Sequence, residues 1–366
     1  MSTLAKAKGN PKDYESEQLL AGRVRVIPRL RRPIKPQEEL LYPDIPEVPD
    51  SISELRLWLI TTEGERLPLQ IPATSQEQIL MLSSYFRQAI SQNSEQFIEP
   101  AQLLYKLIVE PLEQELVNQE VDSLIFLMSP GLRSLPLAAL HDGNNFLVEK
   151  YSTSLMPGFV LTNTQYKGVS NARVLALGVS KALGEFPAQP GVEQELTQIQ
   201  NVWRGNTEIL LNEEATLNNL INRYQNNRFD IVHLAIASPI DLDGPAENPG
   251  MPLWDGRLPL SEIGTLGLNN PSLELLVLSS ANTGVGNDEA KFGFAGFATR
   301  SGVKTVLASL LPVGDEATAE LMTEFYGNLN SDLIKAEALK EAQISIMNRN
   351  SHPFYWAGFT IIGSPW

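Results

Sequence analysis

Ile231-Val-His-Leu-Ala-Ile236 is a six-residue apolar run interrupted only by His233. A run this short, with no polar alternation, is what a strand covered on both faces requires, and sheets buried on both faces are mostly parallel. Five further runs share the character: Leu124–Met128, Val174–Val179, Leu273–Ser279, Val303–Leu311 and Phe359–Ile362. Helical spacing fills the gaps between them. Val192, Leu196, Ile199 and Val202 fall on one stripe, and Ile334, Ala338, Ala342 and Ile346 recur four apart. Strands alternating with helices predict an α/β fold: a doubly wound, mostly parallel sheet with helices on both faces. Such sheets meet their ligands at the carboxyl ends of the strands. Two such ends stand out, near Ala237 and near Ala281.

Toward the N-terminus the pattern changes. Leu55–Ile60 and Leu67–Ile71 flank Gly64 and predict a hairpin. Residues 76–119 read as two helices, interrupted by Pro100 and Pro111. Residues 1–36 hold nine basic residues against three acidic ones, and prolines crowd the stretch from Pro28 to Pro49. The expected organisation is a basic, Pro-rich flexible arm over 1–50, a hairpin-and-helix subdomain over 51–120, and the main core over 121–366. Within the arm, Arg23, Arg25, Arg29, Arg31 and Arg32 interleave with Val24, Val26, Ile27 and Leu30. Such a segment suits a partner-binding strand that adds to a sheet edge, with charge orienting it.

Composition excludes several functions. The 366 residues are 43% hydrophobic, enough for a substantial core, and carry a formal net charge of −15. That balance speaks against general binding to nucleic acid. No apolar stretch reaches the length of a membrane span, and no secretory signal is read, so a cytoplasmic location is expected. There is no cysteine, which removes disulfides, thiolate metal sites and cysteine nucleophiles together. His141, His233 and His352 are isolated, with no zinc-binding spacing. Asp241-Leu-Asp243-Gly244 lacks the remaining ligands of a calcium loop. Gly284-Val-Gly286 lacks the Gly-Lys-Ser/Thr ending of a phosphate loop. No metal and no cofactor is expected.

A longer set of motifs carries a family resemblance. They are Gly131-Leu-Arg-Ser-Leu-Pro-Leu-Ala-Ala-Leu-His141-Asp-Gly143, Phe229-Asp-Ile-Val-His-Leu-Ala235, Leu276-Val-Leu-Ser279 and Phe292-Gly-Phe-Ala-Gly296. Ala308-Ser-Leu-Leu-Pro-Val-Gly-Asp-Glu-Ala-Thr318 and His352-Pro-Phe-Tyr-Trp-Ala-Gly-Phe-Thr-Ile-Ile-Gly363 complete the set. In this order they resemble the CHAT family, bacterial caspase-like cysteine peptidases of the clan of caspases and separase. The resemblance covers roughly residues 100–366 and leaves 1–50 outside.

The resemblance implies a histidine–cysteine dyad at the two strand ends, and the residues for it are missing. The family's His-x-Ala-Thr-His reads here His233-Leu-Ala-Ile-Ala237, so Ala237 stands where the catalytic histidine belongs. Its Leu-Ser-Ala-Cys reads Leu278-Ser-Ser-Ala281, so Ala281 stands at the cysteine. Peptide cleavage by this route needs a thiolate to attack and an imidazole to shuttle the proton. Alanine supplies neither. Ile236, Ser238, Ser280 and Asn282 also depart from the family pattern, which favours natural loss over an engineered inactive peptidase. The expected function is a pseudoprotease that binds a protein or peptide partner. Residual cleft candidates are His233, Ser280, Asn282, Thr283 and Asp315. The alternative is a hydrolase with a relocated serine nucleophile such as Ser280, although no Gly-x-Ser-x-Gly elbow is present. The plainer reading of His233 is a buried, hydrogen-bonded strand histidine.

Overall fold

The computed structural model describes residues 24–28, 55–60, 66–71, 76–129, 131–157, 166–184, 186–236, 250–259, 264, 266–268, 272–279 and 293–366. The N-terminal part supplies β1 (Val24–Pro28), β2 (Leu55–Ile60), β3 (Arg66–Ile71), α1 (Gln76–Ser91), α2 (Ile98–Ile108) and α3 (Glu113–Asn118). β4 (Ser123–Phe126), α4 (Leu147–Lys150), β5 (Ser152–Leu155) and β6 (Val174–Val179) follow. Next come α5 (Pro190–Val202), β7 (Thr207–Leu211), α6 (Leu217–Asn226), β8 (Ile231–Ile236), β9 (Gly250–Leu253) and β10 (Gly256–Pro259). The chain continues with β11 (Leu275–Leu278), α7 (Gly293–Arg300), β12 (Thr305–Ser309), α8 (Asp315–Leu329), α9 (Lys335–Met347) and β13 (Phe359–Gly363).

Eleven of these strands form one sheet in the order β3-β2-β1-β4-β5-β13-β12-β11-β8-β6-β7, while β9 and β10 pair separately. From β12 to β7 every pairing is parallel, and β13 runs antiparallel to β12 but parallel to β5. The chain steps from β6 outward to β7 and then back past β6 to β8, β11 and β12. Right-handed crossovers then place α5 and α6 on opposite faces. That is a doubly wound sheet, as the alternating pattern requires, with its switch point between β6 and β8. All six residues of β6 and all six of β8 are buried, which explains why both runs lack polar alternation.

The hairpin expected around Gly64 is β2 paired antiparallel with β3. Pro100 is tolerated because it falls in the first turn of α2, where its missing N–H has no partner to lose. Pro111 lies in a short 3₁₀ turn and splits the second expected helix into α2 and α3. These helices share a continuous apolar core with the sheet, through Phe86, Ile90, Leu104 and Ile108. A polar tie joins them as well: Lys150 Nζ reaches Glu113 at 2.9 Å, Tyr105 at 3.1 Å and Asp142 at 2.5 Å. That ion pair and two backbone N–H donors hold the Asp142 carboxyl down to about 2, against its burial.

Within the expected arm over 1–50, only residues 24–28 are described. Val24–Pro28 is β1, inside the sheet, parallel to β4 and antiparallel to β2. Its partner strands come from its own chain.

Candidate functional site

The carboxyl ends of β8 and β11 lie side by side, because the two strands pair in parallel with Leu234 opposite Leu278. Ala237 follows Leu234 by three residues, and Ala281 follows Leu278 by the same three. The offsets are equal. Both alanines, together with Ser280, Asn282 and Thr283, fall outside the described residues, as do Arg23, Arg29, Arg31 and Arg32. Arg25 is in β1.

His233 belongs to the buried middle of β8 and is wholly inaccessible. Its Nε2 lies 2.9 Å from Glu195 Oε1 on α5, and its Nδ1 lies 3.1 Å from the Tyr326 hydroxyl on α8. One proton arrangement satisfies all three groups: Nε2–H donates to the carboxylate and the phenol donates to Nδ1. Burial, and next the Glu195 charge, hold the Tyr326 hydroxyl well above its ordinary range, so it stays a donor. With both ring nitrogens engaged by α5 and α8, His233 is a structural histidine. It fastens the helix layer to the sheet.

Two glycines set the distances. In β6, a Cβ at Gly178 would fall 2.6 Å from Val192 Cγ1 and 2.7 Å from Leu196 Cδ1, so α5 lies on the strand only because residue 178 has no side chain. At the start of α5, Pro190 supplies a pre-set first turn, and a Cβ at Gly191 would collide with Asp315. The amino ends of α5 and α8 therefore meet, and α5 packs along α8. Asp315, the first residue of α8, is exposed at this junction. Partial desolvation beside α5 first, and then the Glu195 charge, raise its carboxyl above the usual carboxylate range. Glu195 on α5 and Tyr326 on α8 thus grip His233 of β8 from the helix layer.

Glu195 and Tyr326 did not emerge from the sequence pattern. Glu195 falls beside Leu196 and between Val192 and Ile199 on the apolar stripe of α5, and a carboxylate on such a stripe is the signal that would have found it. Among the described residues no group of His, Cys, Asp or Glu is arranged to hold a metal ion. No helix among them is long and apolar enough to cross a membrane.

The CHAT domain matches residues 98–364, from the start of α2 almost to the chain's last residue. The chain belongs to the CHAT-domain family. Its fold is the caspase-like one of its structural neighbours. A separase–securin complex of Saccharomyces cerevisiae superposes with a TM-score of 0.61 at 10% identity, over 95% of this CHAT chain and 30% of that chain. A second structure of the same complex gives 0.56 at 11%, over 97% and 31%. The Arg-specific cysteine proteinase gingipain R gives 0.49 at 9%, over 78% and 74%. The CHAT chain therefore spans under a third of the separase chains it resembles. No curated protein matches it in sequence.

Proposed function

We propose that this CHAT domain is a pseudoprotease, a non-catalytic caspase-like protein that works by binding another protein or a peptide. The observation that carries the reading is alanine at both 237 and 281, equally displaced beyond a pair of residues in register on adjacent parallel strands. In the family resemblance these are the positions of histidine and cysteine. Removing the nucleophile alone from a serine protease costs on the order of a million-fold in kcat, so losing both groups leaves no useful peptidase. His233 cannot substitute, because both its nitrogens are engaged beneath α5 and α8. A cleft can outlast its chemistry, since pocket walls and backbone donors do not depend on the dyad. The partner is of protein or peptide character. Proteins of this fold take such partners, as the separase neighbour bound to securin illustrates.

The test restores the missing groups. The double change Ala237→His with Ala281→Cys should fold normally and place the chain's one cysteine beside a histidine. That thiol should react with iodoacetamide at neutral pH at least ~tenfold faster than the thiol of Ala281→Cys alone, because an adjacent imidazole promotes the thiolate. Equal rates in a folded protein would remove positions 237 and 281 from a common site and with them the basis of the reading.

A further inference from the structure

β1 is an interior strand without a short connection to either neighbour. Twenty-six residues separate it from β2 and β4 lies far downstream, whereas β2 and β3 are joined by five residues. Its ladders are short: Val24–Val26 pair with β4, and Arg25–Pro28 with β2. The β4 side is parallel, the weaker pairing per residue, and Pro28 has no N–H to donate. The strands on each side have other anchors. β4 is paired to β5 on its far side. β2 is paired to β3 and buries Leu55, Leu57 and Leu59 in the main core. Neither β2 nor β4 therefore depends on β1 alone for its place.

We infer that the slot between β2 and β4 is a strand-accepting site, filled in cis by Val24–Pro28 and open to an extended, β-branched strand of a partner protein running parallel to β4. The chemistry of the occupant follows from the strand now there, Val-Arg-Val-Ile-Pro. Main-chain hydrogen bonds on two sides supply affinity, and arginine orients the strand beside an acidic body. β1 is covalently attached to β2 through the 26 residues between them, so an incoming strand competes against a local ligand rather than an empty groove. This inference names the contact surface for the proposed binding role and rests on that role, but it does not depend on the state of the dyad.

The absence of native cysteine makes a clean test. Arg25 and Ile60 are directly opposed, so the full chain carrying Arg25→Cys with Ile60→Cys can be locked by one disulfide and released by reductant. The probe is a fluorescent peptide with the sequence of residues 20–32, followed by anisotropy. The reduced protein should bind it saturably, and the oxidised protein at least ~tenfold more weakly, because cis occupancy lowers the accessible fraction. Equal binding by both forms, binding by neither, or failure of the disulfide to form in a folded protein would overturn the inference. Hydrogen exchange on the unmodified chain gives a second reading. Amides of Arg25–Ile27 should exchange at least ~tenfold faster than those of Ile231–Ile236, and matched protection would equally overturn it.

Discussion

Replacing Glu195 tests how the helix layer is fastened to the sheet. Its carboxylate is 3% exposed and meets His233 Nε2 at 2.9 Å, while His233 is fully buried and Tyr326 takes its other nitrogen. Glu195→Ala leaves the Nε2–H of a buried imidazole without an acceptor and opens a void beneath α5. Leaving that buried donor unsatisfied costs about 1–3 kcal/mol, and the void adds a further cost of similar size. Glu195→Gln keeps an oxygen at the same reach and removes only the charge, so about 1 kcal/mol is expected. The assay is urea unfolding followed by tryptophan fluorescence. Trp203 is a suitable reporter, since its ring lies edge-on to Tyr326 with centroids 5.5 Å apart. Alanine should cost at least ~2 kcal/mol more than glutamine, the scale of an orphaned buried donor plus a cavity. If both variants fall within the ~0.5 kcal/mol typical of surface changes, the account of His233 as a clamped structural group is wrong.

Other expectations are independent of that pair. Lys335 is fully buried, donates to the Trp366 main-chain oxygen, and has its pKa lowered by burial to about 8, with Glu274 opposing the shift and Lys304 and Lys167 adding to it. The ammonium is thus less favourable in the folded state than in the unfolded chain. The penalty is full below pH 8, and wild-type stability should rise relative to Lys335→Met between about pH 8 and 10.5, by on the order of 3 kcal/mol. A flat difference across that window, measured by urea unfolding, would contradict the burial argument. Gly191→Ala should destabilise by about 1–3 kcal/mol through overpacking against Asp315, and a neutral thermal shift would show that the two helix ends can part freely.

The sheet was legible wherever strands are apolar on both faces. Val174–Val179 and Ile231–Ile236 are strands over the expected residues, and Leu273–Ser279 and Val303–Leu311 contain shorter ones. β5 escaped because three of its four buried residues are polar: Ser152 and Ser154 are inaccessible, and Ser152 Oγ donates to Ser123 Oγ across the ladder at 2.8 Å. No apolar run marks such a strand. β1 showed the right pattern, but its many neighbouring arginines and prolines pointed to an arm, and only long-range pairing places it in the sheet. At the site, the strand ends followed from pattern and resemblance. The Glu195–His233–Tyr326 clamp did not, because three distant segments meet there and periodicity speaks only of neighbours along one helix or strand.

The central claim is that this caspase-like domain does not cleave peptides. The most direct measurement is turnover of a diverse fluorogenic peptide library by the purified full chain, beside Ser280→Ala and the Ala237→His with Ala281→Cys variant. The account predicts no turnover above buffer by the unmodified chain and the same blank from Ser280→Ala. Turnover by the unmodified chain that disappears in Ser280→Ala would contradict it and identify a relocated serine hydrolase.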